Sequence, residues 1–90
     1  MSTLEEVVLS AQRAGELGPG SIEGQVTPLP GCEMEIFVRI GKKTSRAIVG
    51  GSRADCAEAT ELLMMELYRI CKKLGLPVSV VHQRPADETH

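Results

Sequence analysis

The chain has 90 residues, the size of one domain, and a chain this short buries only about 60–65% of its unfolded surface. We therefore expect an efficient core, or apolar surface that is shared with a second copy or a partner. Ten basic and twelve acidic side chains give a net charge of −2, so the chain has no bulk attraction to nucleic acid or to an anionic membrane.

Cysteine usage and the first residues predict a cytoplasmic protein. Three widely spaced cysteines without a C-x-x-C pair suit a reducing compartment better than a disulfide framework. The opening MSTLEEVV is acidic and lacks the basic start of a signal peptide. No apolar run reaches membrane-spanning length, so we expect no membrane association.

A short helix is predicted within residues 1–17. Ser2 and Thr3 each have a glutamate three residues later, so either could cap it. An apolar face at helical spacing follows, made of Leu4, Val7, Val8, Ala11 and Ala14. Gly15 or Gly18 ends the helix, because glycine breaks a helical pattern.

The middle of the chain predicts strands. Residues 22–27 form a weak strand, because Gly24 interrupts it. Apolar and polar residues then alternate over 32–40, which indicates a half-buried strand. The chain turns at residues 41–43 and returns as a second strand at 44–49. A β-hairpin with a basic tip is therefore predicted.

A long helix from Ser52 to Leu74 is the strongest feature. Asp55 lies three residues after Ser52, which predicts a start resembling a capping box. One apolar stripe at helical spacing predicts its core face: Cys56, Ala59, Thr60, Leu63, Met64, Leu67, Ile70, Cys71 and Leu74.

Two features of this helix predict a binding partner. It is about 33 Å long, whereas a strand of five or six residues covers about 17–20 Å, so one end is expected to overhang the sheet. Leu62 and Met65 lie off the core stripe among charged residues, and with Tyr68 they form a candidate interface. The alternative is ordinary exposure of single apolar side chains, which is common.

After the helix, residues 78–81 predict a short strand. The order is α-β-β-β-α-β, an α+β two-layer sandwich in which a small antiparallel hairpin sheet is extended by the C-terminal strand and packed under one long helix. The single domain divides into an N-terminal helix (1–17), a loop with a weak strand (18–31), a hairpin, long-helix and strand core (32–82) and a flexible tail (83–90).

A basic cluster is the candidate anion or nucleic-acid site. It comprises Arg39, Lys42, Lys43 and Arg46 of the hairpin and Arg53 at the start of the long helix. A glycine turn before a helix N-terminus can hold an anion, but the spacing of a phosphate-binding loop is missing. Phe37 alone is no stacking platform, and Asp55 stands where a double-stranded-RNA module would carry lysines. The alternative is a solubilising turn beside a capped helix.

The sequence shows no enzyme-like arrangement. Cys56 is early in a helix, where a thiol pKa can be lowered, and His82 is the only ordered base available to it. Cys56 also lies on the core stripe, so we expect a buried structural thiol. The cysteine and histidine spacings predict no metal site, and we expect no cofactor.

We expect a small protein-binding or self-associating domain, such as an adaptor, regulator or inhibitor. It would act through the long helix, the sheet surface or an edge strand, with a homodimer among its forms. The alternative is a nucleic-acid-binding module that uses the basic hairpin and the start of the long helix. We expect no enzymatic activity.

Overall fold

The computed structural model describes residues 2–84. The elements, in chain order, are α1 (Leu4–Arg13), β1 (Ile22–Leu29), β2 (Glu33–Ile40), β3 (Lys43–Gly50), α2 (Asp55–Lys73), a 3-10 turn (Val78–Val80) and β4 (Val81–Gln83). The strands form one sheet in the order β3-β2-β1-β4, with both helices on one face. β4 is parallel to β1, and the other neighbouring strands are antiparallel. The predicted α+β class and element order are confirmed.

The N-terminal helix is capped by Thr3. The Thr3 hydroxyl accepts a hydrogen bond from the Glu6 backbone N–H at 3.1 Å, and the Glu6 carboxylate accepts one from the Thr3 backbone N–H. This reciprocal pair is a capping box and decides between the two predicted caps. The helix ends at Arg13, and Gly15 follows with a φ of 71°, which is typical of glycine just after a helix.

The weak strand predicted at 22–27 is a full strand at the centre of the sheet. All eight residues of β1 pair with β2, and its first three also pair with β4. Gly24 does not interrupt it, because α2 crosses at that point. A Cβ on Gly24 would lie 3.1 Å from side-chain atoms of Leu63, Met64 and Leu67. The glycine therefore permits a close helix–sheet approach.

The predicted hairpin of β2 and β3 is confirmed. Ile40 pairs with Lys43 across a two-residue turn, and the register continues without a bulge to Glu33 and Gly50. Gly41 takes the first central position of the turn with a φ of 60°, as a type II′ turn requires.

The long helix begins three residues later than predicted, at Asp55 rather than Ser52. The Ser52 carbonyl accepts a hydrogen bond from the Asp55 N–H at 3.0 Å, which closes a turn before the helix. The Ser52 backbone N–H and hydroxyl donate to the Asp55 carboxylate at 2.7 and 2.9 Å, and these bonds lower the pKa of Asp55. The predicted core stripe is confirmed, since its buried members are Cys56, Met64, Leu67, Ile70 and Cys71.

The end of the described chain differs from its prediction. Residues 78–80 form a 3-10 turn instead of a strand, because the Val80 N–H donates back to the Pro77 carbonyl at 3.2 Å. The strand β4 follows at 81–83, so Gln83, predicted in the tail, belongs to the sheet. Arg84, also predicted in the tail, is tied to β1, because its backbone N–H donates to the Gly24 carbonyl at 3.1 Å. Residues 85–90 of the predicted tail lie outside the described residues.

The predicted length mismatch between the long helix and the strands is wrong. α2 has 19 residues, about 28 Å, whereas β1, β2 and β3 have eight residues each, about 26 Å. The strands are longer than the sequence indicated, so helix and sheet match in length. The length of α2 therefore gives no reason to expect a binding partner.

Candidate interaction surface

The edge strand β3 is exposed along its entire length. All eight of its residues are exposed, whereas most of the neighbouring strand β2 is buried or half-buried. Ile48 and Val49 point to opposite faces of the sheet and are 60% and 38% exposed. The helices pack elsewhere, α1 against β2 and α2 against β1. Neither face of β3 is covered.

Half of the backbone groups of β3 point away from the sheet. Ile40 and Lys43 flank a two-residue turn, and such a pair exchanges both of its hydrogen bonds. Hydrogen-bonded pairs recur at every second residue, so the N–H and C=O groups of the even-numbered residues 44 to 50 point outward. No strand within residues 2–84 pairs with this edge. An unpaired row of this kind is a template for another strand.

The two edges of the sheet differ in their protection. Natural edges are blunted by short strands, prolines, bulges or charges that point inward. β4 is only three residues long and covers residues 22–24 of β1, and the rest of that edge contains Pro28, which cannot donate to an added strand. β3 has eight residues, no proline and no bulge. Its charged residues are Lys43 at its start and Arg46, which is paired with Glu35 at 3.0 Å. The edge at β3 is therefore the one open to strand addition.

Arginines cover the only phenylalanine on the helix-free face of the sheet. The guanidinium carbons of Arg46 and Arg84 lie 4.8 and 5.2 Å from the centroid of the Phe37 ring, and Phe37 is 4% exposed. Such stacking is a favourable cation–π contact. The ring is therefore closed to base stacking in this structure.

Arg39 has a structural position on the same face. Its Nε donates to Glu23 at 2.6 Å, and its terminal nitrogens donate to the carbonyls of Gly20 and Gly41, each at 2.9 Å. These bonds tie the turn after β2 to the residues before β1. Its guanidinium is therefore engaged by the protein itself.

The predicted basic cluster is divided into separate parts. Arg39 and Arg46 are engaged in ion pairs, whereas no described residue forms an ion pair with Lys42, Lys43 or Arg53. The two lysines lie at the turn before β3, and Arg53 lies beyond its other end, about 25 Å away along eight residues of strand. One compact anion could not contact both ends together.

The candidate interface on α2 is also exposed. Leu62 and Met65 are 59% and 65% exposed, and Tyr68 is exposed beside them. Glu66 and Arg69 form an ion pair on the same side of the helix. The helix satisfies its own backbone groups, so this surface offers side chains alone. β3 offers side chains and unpaired backbone groups together, which makes it the stronger candidate.

An edge strand was among the predicted binding surfaces but was not assigned to β3, although the β3 sequence contains a signal for it. β2 alternates apolar and polar residues, whereas β3 reads KTSRAIVG, with polar residues on both faces in its first half and apolar residues on both faces in its second. Missing alternation indicates a strand without a buried face. This difference between the two strands of the hairpin marks β3 as the strand without a buried face.

The cysteines fall into two classes. Cys32 is exposed in the turn between β1 and β2, with a φ of 58°, whereas Cys56 and Cys71 are buried. The Cys56 thiol donates to the Ser52 carbonyl, with 3.7 Å between sulfur and oxygen. Burial raises the pKa of the Cys71 thiol. His82 is exposed on β4. These positions agree with packing roles for the two helix cysteines.

We expect iodoacetamide to modify one cysteine in the native protein. Cys32 should react within minutes at neutral pH, whereas Cys56 and Cys71 should react only after denaturation, because alkylation needs an accessible thiolate. Peptide mass spectrometry after timed quenching measures this. Equal native labelling of Cys56 and Cys32 would contradict the buried position of Cys56.

Comparison with known proteins gives no significant match to a protein-family model, to a curated sequence or to a solved structure. Among the described residues, no helix has the length and apolarity needed to cross a bilayer. Within residues 2–84, no three His, Cys, Asp or Glu side chains are grouped to hold a metal ion.

Proposed function

We propose that this chain is a protein-interaction domain, without catalytic activity, that binds by adding a strand to the free edge of β3. The observation that carries the proposal is the exposure of all eight β3 residues beside an unpaired backbone edge. Strand addition uses main-chain hydrogen bonds for affinity and alternate side chains for specificity. The three free cysteines, two of them buried, support action in a reducing compartment such as the cytoplasm.

The energetics favour an extended partner at this edge. A typical hydrogen bond contributes about 0.5–1.5 kcal/mol net, and four outward-facing residues offer a donor and an acceptor each. Covering Ile48 adds apolar burial of up to about 1.5–3 kcal/mol. These contributions have to exceed the cost of association, about 4–15 kcal/mol, so the edge needs most of its hydrogen bonds to be formed.

The proposal is tested by affinity capture from the native host, with the tagged full chain and its tagged variants as baits. Ile48→Pro removes an outward N–H and leaves the ladder between β2 and β3 intact, since proline is tolerated at that side of an edge strand. A second variant, Ile48→Lys, places a charge on the same strand. Its matched control is Val78→Lys, because Val78 and Ile48 are both exposed aliphatic residues, at 67% and 60%.

The expected result is a captured protein, either this chain or another, that is lost with both Ile48 variants and retained with Val78→Lys. Thermal unfolding of each variant shows that the fold is kept. The β3 edge would be refuted if both Ile48 variants still captured the protein and the double variant Leu62→Glu plus Met65→Glu did not. That result would place the interface on α2.

A further inference from the structure

We infer that the strand added to β3 is β3 of a second copy, in a two-fold symmetric antiparallel dimer whose axis passes through Ala47. The inference rests on the proposed function, because it uses the same free edge and names the partner. It would join two four-stranded sheets into one continuous sheet of eight strands, with all four helices on one face.

Symmetry and register restrict how two β3 strands can pair. A two-fold axis perpendicular to the sheet keeps the helix-covered face on the same side in both copies, so odd-numbered residues pair with odd-numbered ones. To pair five or more residues of β3, the axis has to pass through Ser45, Arg46, Ala47 or Ile48. An axis at Arg46 places two arginines directly opposite each other, which is destabilising. Axes at Ser45 and Ile48 pair only five residues each, 43–47 and 46–50.

The axis at Ala47 pairs more residues than the axis at Ile48 and moves the two Arg46 residues from directly opposite positions to diagonal ones. It pairs the seven residues from Thr44 to Gly50 with those of the second copy. The outward-facing groups of the even-numbered residues then form the hydrogen bonds, and Ala47 lies in a pair without hydrogen bonds. Such pairs have the closest Cα atoms, about 4.5 Å apart, and alanine is small enough to sit opposite itself there.

Charge along the strand is compatible with self-pairing in this register. β3 carries Lys43 and Arg46 and no acidic residue. With the axis at Ala47, the two Lys43 residues lie at opposite ends of the paired segment, about 26 Å apart. This separation exceeds the Debye length of about 8 Å at physiological ionic strength. The two Arg46 residues are diagonal neighbours on the helix-free face, about 7–8 Å apart, and each guanidinium is paired with Glu35 of its own chain.

The same register covers the exposed apolar side chains of the strand. Ile48 comes opposite Arg46 of the second copy, beside the stack of that arginine on Phe37. Val49 comes opposite Ser45 on the helix-covered face. Two copies repeat each contact, so four exposed apolar side chains lose solvent together. The helices pack mainly against β1 and β2, and the start of α1 borders only residues 43–45 of β3, all of which remain exposed.

A single pair of strands forms a small interface. Interfaces below about 1,200 Å² belong to weak or transient complexes, so we expect a dissociation constant in about the micromolar range. Light scattering on the purified full chain, with protein from about 1 μM to 1 mM to bracket that range, measures it. The mass should rise from 9.7 kDa towards twice that value.

Matched variants identify the interface. Ile48→Lys and Ile48→Pro should each weaken the dimer at least tenfold, and Val78→Lys should leave it unchanged, with circular dichroism confirming the fold of each. A chain that stays at 9.7 kDa throughout the range would overturn the second copy as partner. A dimer that both Ile48 variants leave intact would also overturn it.

The failures of the two proposals are distinguishable. A monomeric chain that still captures another protein through Ile48 refutes only the second copy as occupant, and leaves strand addition standing. If Leu62→Glu plus Met65→Glu abolishes the dimer, and both Ile48 variants still capture the protein, then strand addition at β3 and the second copy as its occupant are both refuted. A dimer sensitive to both Ile48 variants supports both.

Discussion

Replacing Leu67 with alanine is expected to lower the free energy of unfolding by about 2–5 kcal/mol. Leu67 is fully buried in the main core, between α2 and the sheet. Alanine is at least as good a helix former as leucine, so the loss would come from packing and from the cavity left behind. Urea unfolding of both proteins, followed by circular dichroism, measures the difference.

Leu62→Ala is the matched control for this prediction. It makes the same chemical change in the same helix, at a side chain that is 59% exposed. Its cost should lie within about 0.5 kcal/mol, as for ordinary surface substitutions. Equal losses at both positions would contradict the orientation of α2 on the sheet.

Replacing Gly24 with valine is expected to destabilise the protein by about 1–3 kcal/mol. The Cβ alone would approach Leu63, Met64 and Leu67 to 3.1 Å, and the two methyl groups of valine would push further into α2. Gly24→Ala should have a much smaller effect, because the atoms it meets are the ends of flexible side chains. Thermal and urea unfolding measures the loss of stability in each variant. The loss with alanine gives the cost of replacing glycine, and the additional loss with valine gives the cost of steric overlap with α2.

The two substitutions should compensate each other when combined. A Cβ on Gly24 faces the Leu67 Cδ1 atom, and Leu67→Ala removes that atom. The double variant should therefore lose less stability than the two single losses added together, with a coupling of about 0.5–3 kcal/mol. Additive losses would show that the two residues do not meet across the helix–sheet contact.

The sequence predicted the fold where local patterns decide it. The alternation from residue 32 to residue 40 and the stripe on the long helix both depend on one buried face, and both are confirmed. The strand predicted at residues 22–27 is present, but the interruption expected at Gly24 is wrong, because this glycine has a role that only the position of α2 explains. It was also wrong about the start of α2, since Ser52 forms a turn with Asp55 rather than a helical cap.

The candidate site was harder to predict, because exposure depends on strand order. The sequence indicated that the hairpin exists, but not that β3 would lie at an edge with no helix above it. The predicted basic cluster is also divided by contacts between strands. Arg39 bonds across to Glu23 and to loop carbonyls, and Arg46 stacks on Phe37, which are contacts between strands that spacing along the chain does not show.

Amide hydrogen exchange in β3, measured by NMR at low and high protein concentration, tests the free edge most directly. The amides of residues 45, 47 and 49 bond to β2 and should be protected at both concentrations. If a second copy pairs with β3, the amides of Thr44, Arg46 and Ile48 should exchange rapidly in dilute solution and become protected as concentration rises. Rapid exchange of these three amides at every concentration, in a sample that light scattering shows to be dimeric, would contradict the β3 interface.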